Sequence, residues 1–354
     1  MMHIWIRSEV RDFEKRVGLV PSDVRKLVSD GFKITIEESK NRVISSNYYK
    51  DSGAEIAPSN SWQSAPDEAI IFGLKELPEE IKILKHRHIM FGHAYKGQLG
   101  SRSLLDRFKK GGGTLYDLEY LLDANNRRIA AFGYWAGFAG AAVALKVWLH
   151  QKISKGPGPK KIKVYSGRKK LVQELRATFE NEIISKIPKP KVIIIGALGR
   201  VGSGASELAK SLNLEVTPWD IAETKHGGPF PQIFDHEIFI NCILARPGVP
   251  VFVQKSDIKN SQKLSVISDI SCDPDSPYNP IPIYENATSF SNPVIRTSYE
   301  KTNLDITAID NLPSMLPLES SEDFSNQLLP TLLELKNIDK GPWGRAKQIY
   351  LGNI

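Results

Sequence analysis

The chain has 354 residues and a net charge of +7, with 41% hydrophobic and 25% charged residues. This is an ordinary composition for a soluble protein, and the length allows two domains with separate cores. Two cysteines, Cys242 and Cys272, exclude a disulfide framework and favour a reducing, cytoplasmic location. We expect no secretory signal peptide, because the apolar run His3 to Ile6 is too short.

Basic residues cluster between Lys152 and Lys170. Nucleic-acid binding would require interleaved aromatic residues or a recognition motif, and only Tyr165 lies in this stretch. We therefore expect a solvated linker and helix face, and no nucleic-acid partner. A basic protein also suits ligands that are polyanions.

The first third of the chain alternates between strand and helix patterns. The predicted strands are His3 to Val10, Phe32 to Glu37, Ala69 to Leu74, Ile89 to His93 and Thr114 to Leu122, and the predicted helices are Pro21 to Gly31 and Leu104 to Lys110. Such alternation predicts an α/β domain with a mostly parallel sheet.

Ile129 to Leu145 contains 17 residues without a charge, the lower limit for a membrane span. Its many small residues favour instead a buried helix that another helix approaches closely, and we expect no membrane partner. The small residues are Ala136, Gly137, Gly140 and Ala141. Because the segment lies between two predicted domains, we expect it to be an interdomain hinge helix.

A second α/β pattern follows the Gly156 to Pro159 linker. Its helices are predicted at Arg168 to Ile187 and Ala205 to Leu212, and its strands at Val192 to Ile195, Val216 to Trp219, Glu237 to Cys242 and Leu264 to Ser271. Two further helices, Ser321 to Leu335 and Gly344 to Leu351, are expected to pack on the first domain. The sequence thus predicts two Rossmann-like doubly wound parallel-sheet domains, residues 1–135 with 311–354 and residues 136–310, on either side of a cleft.

The stretch Lys191 to Gly204 has the layout of a dinucleotide-binding turn: a buried strand, four glycines and a helix. Glycines allow the backbone to approach a pyrophosphate, which the helix N-terminus attracts. Asp220 ends the next strand, 24 residues after Gly196, where an acidic residue binds the ribose of NAD and repels the phosphate of NADP. The alternative is a glycine-rich connection in another α/β sheet.

Titratable residues follow the predicted strands of the first domain: Arg16, Lys75, His93, Lys96 and Arg128. A lysine beside other cations has a lowered pKa and can act as a base near neutral pH, although most lysines are simply solvated. His86 and His88 with His93 lack carboxylate or cysteine support, so we expect no metal site.

Many segments in order resemble the NAD-dependent, lysine-forming saccharopine dehydrogenases over nearly the whole chain. They are RVGLVP (Arg16 to Pro21), GLKELP (Gly73 to Pro78), FGHAYKGQ (Phe91 to Gln98), GGTLYDLEYL (Gly112 to Leu121), RRIAAFGYWAGFAGAA (Arg127 to Ala142), GALGRVGSGA (Gly196 to Ala205), WDIAET (Trp219 to Thr224), GGPF (Gly227 to Phe230), NPIPIY (Asn279 to Tyr284) and IDNLPSMLP (Ile309 to Pro317).

The resemblance implies that saccharopine, NAD and water react to give lysine, 2-oxoglutarate and NADH. It implies that Lys75 is the base for the amine proton, that His93 is the acid–base group for imine hydrolysis and that Glu119 tunes the charge of this cluster. The implied substrate contacts are Arg16, Lys75, Lys96, Gln98, Arg128, Phe132, Ser271, Cys272 and Asp273. The implied NAD contacts are Arg127, Gly199, Arg200, Asp220, Thr224, Leu244, Ile270, Ile309, Asp310, Asn311 and Leu312. Val201 stands where some fungal members have a cysteine, so a disulfide from there to Cys242 is impossible.

Two other functions stay open at this point. One is a related amino-acid dehydrogenase such as an alanine dehydrogenase, whose first domain also opens with a strand and an R-V-x-L-x-P motif. The other is a non-catalytic protein of this fold that binds NAD or RNA. Our leading prediction is a cytoplasmic monomer with small-molecule substrates.

Overall fold

A computed structural model describes residues 1–11, 13–95, 97, 100–154, 156–258, 263–299 and 302–354. The chain divides into two compact units. Unit 1 comprises Met1–Ala131 and Pro317–Ile354, and unit 2 comprises Phe132–Leu316. The boundaries predicted from the sequence were residues 135 and 311. Each unit is built around its own six-stranded sheet.

Unit 1 opens with strands and helices in alternation: β1 (His3–Ile6), α1 (Pro21–Ser29), β2 (Lys33–Glu37), α2 (Ser46–Lys50), β3 (Glu55–Ala57), β4 (Ile70–Phe72), β5 (Arg87–Met90), α3 (Ser101–Gly111) and β6 (Thr114–Asp117). The strand order is β3-β2-β1-β4-β5-β6, and all five pairings are parallel. The order therefore reverses between β1 and β4. Ligands of doubly wound sheets bind at the carboxyl ends of the strands at such a reversal.

Unit 2 contains α4 (Gly133–Ser154), α5 (Arg168–Phe179), β7 (Val192–Ile195), α6 (Arg200–Ser211), β8 (Val216–Trp219), α7 (Ile221–Thr224), β9 (Ile238–Asn241), α8 (Lys255–Ile258), β10 (Val266–Asp269), β11 (Ile295–Tyr299) and β12 (Thr302–Thr307). The order is β11-β12-β10-β9-β7-β8. β11 pairs antiparallel with β12, whereas the other pairings are parallel. This sheet reverses its order between β7 and β9.

The last two helices, α9 (Pro317–Leu333) and α10 (Gly341–Leu351), belong to unit 1. Ser325 of α9 donates to the buried carboxylate of Asp23 in α1 at 2.5 Å. The Tyr350 hydroxyl of α10 donates to the carbonyl of Gly113, just before β6, at 2.9 Å. These polar contacts fix the two helices to opposite ends of the first chain segment.

Helix α4 confirms the prediction of a buried helix that packs closely on another. A Cβ atom on Gly137 would overlap the carbonyl oxygen of Val201 in α6, and one on Gly204 would overlap that of Tyr134. The helix continues past Leu145 to Ser154, and only the last residues of this extension, Ile153 and Ser154, are exposed. Over the residues that the structure describes, none of the helices combines the length and apolarity that crossing a membrane requires.

The α/β fold class with two doubly wound, mostly parallel sheets is confirmed, but several element boundaries were wrong. Helix α6 begins at Arg200 rather than Ala205, because contacts with α4 outweigh the poor helix propensity of Gly202 and Gly204. Helix α5 ends at Phe179 rather than Ile187 and is followed by a single 3₁₀ turn, Ile184–Lys186. The sequence patterns did not predict α2, α7, α8, β3, β11 and β12. The three helices and β3 have only three to five residues, too few for a clear apolar period, and β11 lies at a sheet edge.

Candidate active site

Lys75 lies where β4 leaves the sheet of unit 1, beside the end of β1. Its side chain is half-buried. The backbone N–H of Lys75 donates to Glu9 at 3.0 Å, and its carbonyl accepts from Arg7. The predicted base is therefore at the strand-order reversal of this sheet.

His93 follows the neighbouring strand, β5, and adopts a left-handed backbone conformation with φ of 47°. This conformation is uncommon for a residue with a side chain. The imidazole Nδ1 lies 3.2 Å from Oε2 of Glu119, and the His93 side chain is 56% exposed. Because a carboxylate only accepts hydrogen bonds, this contact places the proton on Nδ1 and leaves Nε2 for proton transfer.

Glu119 joins three parts of the same sheet edge. Its Oε1 accepts from Arg128 at 3.3 Å, while its backbone N–H donates to Asp117 Oδ1 at 2.9 Å. Asp117 is the last residue of β6 and is buried. Burial raises the pKa of the Asp117 carboxyl above its ordinary value, although the amides of Glu119 and Gly92 oppose this effect.

Arg16, a predicted substrate residue, is buried and held by a carboxylate. Its Nε and Nη2 donate to the two oxygens of Glu14 at 2.8 and 2.6 Å. Burial is the largest single influence and disfavours the ionised carboxyl of Glu14, but the charge and the hydrogen bonds of Arg16, together with the charge of Lys75, outweigh it and lower the pKa of Glu14. The charge of Lys75 contributes to the same shift, so Arg16, Glu14 and Lys75 share one electrostatic environment.

The other predicted residues of this region differ in their surroundings. Lys96 and Gln98 lie outside the residues that the structure describes. Arg127 is exposed and pairs with Asp123 at 3.0 Å, on the turn that precedes Arg128. The histidines His86 and His88 are interior side chains, with His86 Nε2 3.1 Å from the carbonyl of Ala65.

In unit 2, the glycine turn follows β7 and leads directly into α6. Gly196 has a φ of +85°, and a Cβ atom on Gly202 would overlap the carbonyl oxygen of Gly196. Side chains are therefore excluded at both positions. Gly199 and Arg200, at the start of α6, are exposed, so the amides of the first helical turn face solvent, as an anion-binding helix N-terminus requires.

Asp220 directly follows β8, one residue after the predicted strand end, and connects the strand with the glycine turn. Its Oδ2 accepts from the backbone N–H of Leu198 at 3.0 Å, and its Oδ1 accepts from that of Ile221 at 2.9 Å. The hydroxyl of Thr224 donates to the carbonyl of Asp220 at 2.9 Å. Asp220 thus caps α7 and fixes the turn at the same time.

The remaining predicted residues of unit 2 follow other strands of the same sheet or begin α4. Leu244 follows β9 and is exposed, Ile270 to Asp273 follow β10, Ile309 to Leu312 follow β12, and Phe132 precedes α4. A buried polar network holds the loop after β10: Asp269 accepts from Ser271 at 2.8 Å, from Asn241 at 2.9 Å and from Tyr284 at 2.6 Å. Cys272 has a φ of 51° and donates to the carbonyl of Ala308 at 2.9 Å.

The predicted residues therefore form two sets, one at the carboxyl edge of each sheet. The sequence analysis missed Arg7, Glu9, Glu14 and Asp117, which contact members of the first set. The sequence contains a signal for three of these residues, because Arg7 and Glu9 follow an apolar strand and Asp117 ends another. Charged residues at these positions are candidates for a site under the same rule that selected Lys75.

Comparisons with known proteins identify the family. Saccharopine dehydrogenase [NAD(+), L-lysine-forming] of Schizosaccharomyces pombe is 43% identical over 98% of this chain and 97% of its own length. The Candida glabrata protein of the same name is 44% identical over 98% and 95%. This chain belongs to the NAD-dependent, lysine-forming saccharopine dehydrogenases. The family predicted from the motifs is confirmed, and with it the enzyme class, an NAD-dependent dehydrogenase.

Proteins outside the saccharopine dehydrogenase family share the fold of this family member. Residues 5–139 match the family model described as alanine dehydrogenase/PNT, N-terminal domain. A solved L-alanine dehydrogenase superposes with a TM-score of 0.69 over the full length of both chains, at 18% identity. At this identity the likeness concerns the fold alone.

Proposed function

We propose that this chain catalyses the reversible reaction of L-saccharopine, NAD⁺ and water to L-lysine, 2-oxoglutarate, NADH and a proton. This is the last step of lysine biosynthesis by the α-aminoadipate pathway. The observation that carries the proposal is the 43–44% identity, over 98% of the chain, to proteins named for this activity.

We assign saccharopine mainly to unit 1 and NAD mainly to unit 2. Saccharopine carries three carboxylates, which suit the cations Arg16, Lys96 and Arg128. Gln98, Phe132 and the Ser271 to Asp273 stretch complete the proposed substrate contacts. Arg16 is already paired with Glu14, so a substrate carboxylate would share or replace that pairing.

The residues of unit 2 fit a dinucleotide. The close approach of Gly202 to the Gly196 carbonyl leaves a turn without side chains, and the solvent-facing start of α6 suits a pyrophosphate. Asp220 suits the ribose hydroxyls and disfavours a 2′-phosphate. Further contacts are assigned to Arg127, Gly199, Arg200, Thr224, Leu244, Ile270 and Ile309 to Leu312. NAD, when bound, supplies the acceptor for the hydride that leaves the carbon next to the secondary amine.

Lys75 acts as the base for the first stage. It accepts the proton of the secondary amine, which frees the nitrogen lone pair to form the C=N bond of an imine. Its location at the strand-order reversal supports this role, because this is where a doubly wound sheet presents residues to a ligand.

His93 acts in the second stage, imine hydrolysis. Its Nε2 accepts a proton from the water that adds to the imine carbon. It then returns a proton to the nitrogen as the carbinolamine collapses, which releases lysine and 2-oxoglutarate. The contact of Nδ1 with Glu119 supports this assignment, since it orients the ring and leaves Nε2 to exchange the proton.

An assay of NADH formation tests the proposed function. Saccharopine should support turnover, and lysine with 2-oxoglutarate should support NADH oxidation. L-Alanine serves as the alternative substrate, because the fold is shared with alanine dehydrogenases. Turnover of alanine without turnover of saccharopine would overturn the proposal.

We also propose that the protein is a monomer and that it is located in the cytoplasm. The two unpaired cysteines support this location, and sedimentation of the purified protein tests whether it is a monomer.

A further inference from the structure

A buried ion pair lies directly beside the predicted base. Arg7 and Glu9 follow β1, and Arg7 Nη1 lies 3.2 Å from Glu9 Oε2. Their side chains are only 1% and 9% exposed. Placing two charges in the interior has a large desolvation cost, which the attraction of the pair often does not exceed. A gain in stability is therefore a weak explanation for the presence of this buried pair.

Glu9 is bound to the backbone of the segment that carries Lys75. Its two carboxylate oxygens accept from consecutive amides, Oε1 from Leu74 at 2.6 Å and Oε2 from Lys75 at 3.0 Å. These amides come just after β4 ends, where no strand supplies their acceptors. Charge-assisted hydrogen bonds of this kind are about twice as strong as neutral ones.

Arg7 holds the same segment from its other side. Its guanidinium donates to the carbonyl of Lys75 and lies 3.5 Å from that of Glu76. A Cβ atom on Gly73 would overlap this guanidinium, so the arginine reaches the segment only because residue 73 is glycine. Both the N–H and the C=O of Lys75 are thus bound by one ion pair.

The segment of residues 73–75 is also hydrogen-bonded to the strand that leads to His93. The backbone N–H of Phe91 donates to the carbonyl of Leu74 at 3.2 Å, and Gly73 donates to Ile89 at 3.0 Å. A displacement of residues 73–75 would therefore also disturb the start of the loop that carries His93.

We propose that the Arg7–Glu9 pair is a positioning device for Lys75, which fixes its backbone on both sides so that the amine stays within reach of the substrate nitrogen. The inference rests on the proposed function, in which Lys75 is the base. A base must lie within hydrogen-bond distance of the proton that it removes. A misplacement of about 1 Å can lower the rate roughly 10²-fold.

The test is a double-mutant cycle between Glu9→Gln and Lys75→Met. In the wild-type background, Glu9→Gln replaces one acceptor oxygen by an N–H group that faces a backbone amide, and we expect hydride transfer to slow roughly 10-fold to 10²-fold. In the Lys75→Met background, the same change should alter the remaining rate by less than about twofold, because no base is left to misplace. Single-turnover NADH formation measures all four proteins.

Two further variants separate positioning from general loss of structure. Arg7→Lys keeps the charge but cannot reach both Glu9 and the Lys75 carbonyl, and should behave like Glu9→Gln. Arg296→Lys alters an ion pair in unit 2 between a half-buried arginine and the buried Asp305, and should lower Tm while leaving the rate of hydride transfer unchanged. Equal rate losses for Glu9→Gln in both Lys75 backgrounds would overturn the inference.

The proposed function and the positioning role fail in different ways. A wild-type protein that does not oxidise saccharopine would refute the proposed function. A wild-type protein that does, with Glu9→Gln at full rate and a full Tm, would refute the positioning role alone.

Discussion

The imidazole Nδ1 of His93 lies 3.2 Å from Oε2 of Glu119. The two residues follow neighbouring parallel strands, β5 and β6, and the second carboxylate oxygen of Glu119 accepts from Arg128. One carboxylate therefore contacts both the proposed proton-transfer group and a proposed substrate-binding cation. This arrangement depends on the parallel pairing, because only that pairing brings both strand ends to one edge of the sheet.

Lys75→Met should lower the rate of hydride transfer by roughly 10²-fold to 10⁴-fold, because it removes the proposed base. NAD affinity should not change, since the NAD contacts are assigned to other residues. Single-turnover NADH formation and NAD titration measure the two effects. Lys85→Met is the matched control, because Lys85 is exposed and pairs with Asp67 at 2.6 Å. Wild-type turnover in Lys75→Met would refute the assignment.

His93→Gln should separate hydride transfer from imine hydrolysis. We expect a rapid burst of one NADH per active site, followed by steady-state turnover that is roughly 10²-fold slower than wild type. Rapid-mixing absorbance at the NADH band measures the burst. His150→Gln, on α4, is the control and should behave as wild type. A slow first turnover without a burst would instead place His93 in the hydride-transfer stage.

Asp220→Asn should reduce the preference for NAD over NADP. The amide can still accept from the Leu198 N–H, while the charge that would repel a 2′-phosphate is lost. The ratio of the two dissociation constants should change by at least about 10-fold, equivalent to about 1.4 kcal/mol. Fluorescence titration with each dinucleotide measures it, and Asp235→Asn, an exposed site, is the control. An unchanged ratio would contradict the assigned role of Asp220.

Glu14→Gln should lower the free energy of unfolding by about 3 kcal/mol at pH 7, because it removes the carboxylate that compensates the buried charge of Arg16. The pKa of Glu14 is lowered in the folded protein, so the ionised carboxylate stabilises the fold above its ordinary pKa of 4.5. This stabilisation is lost as the pH falls through the folded pKa. The difference between variant and wild type should therefore shrink below pH 4.5.

Denaturant unfolding at several pH values measures this dependence. Glu55→Gln is the control, since Glu55 forms an exposed pair with Lys33 and such pairs contribute little. A difference between Glu14→Gln and wild type that stays constant from pH 7 to pH 3 would exclude the ion pair as its source.

Gly204→Ala should destabilise unit 2 by about 3 kcal/mol, because its methyl group would overlap the Tyr134 carbonyl and separate α6 from α4. Thermal unfolding measures the loss. Gly352→Ala is the control: its φ is −73°, and the nearest atom would be 3.5 Å away, so its Tm should be unchanged or slightly higher. Equal Tm values for the two variants would contradict the close packing.

Features that depend on a local pattern of residues could be predicted before the fold was known. The apolar run Val192 to Ile195 predicted strand β7 with both ends correct, and the glycines after it predicted the turn into α6. Charged residues at strand ends selected Lys75 and His93, and long motif matches identified the family. Each of these signals is contained in a short run of residues, so apolar periodicity and turn-forming residues are enough to detect it.

Which of these residues are neighbours is visible only in the folded chain. The order β3-β2-β1-β4-β5-β6 places the end of β1 beside the end of β4, and only therefore can Glu9 bind the amide of Lys75, 66 positions along the chain. The folded structure also shows that Arg16 is buried and pairs with Glu14. Such contacts depend on strand neighbours and burial, and no local pattern of residues encodes which distant strands will pair.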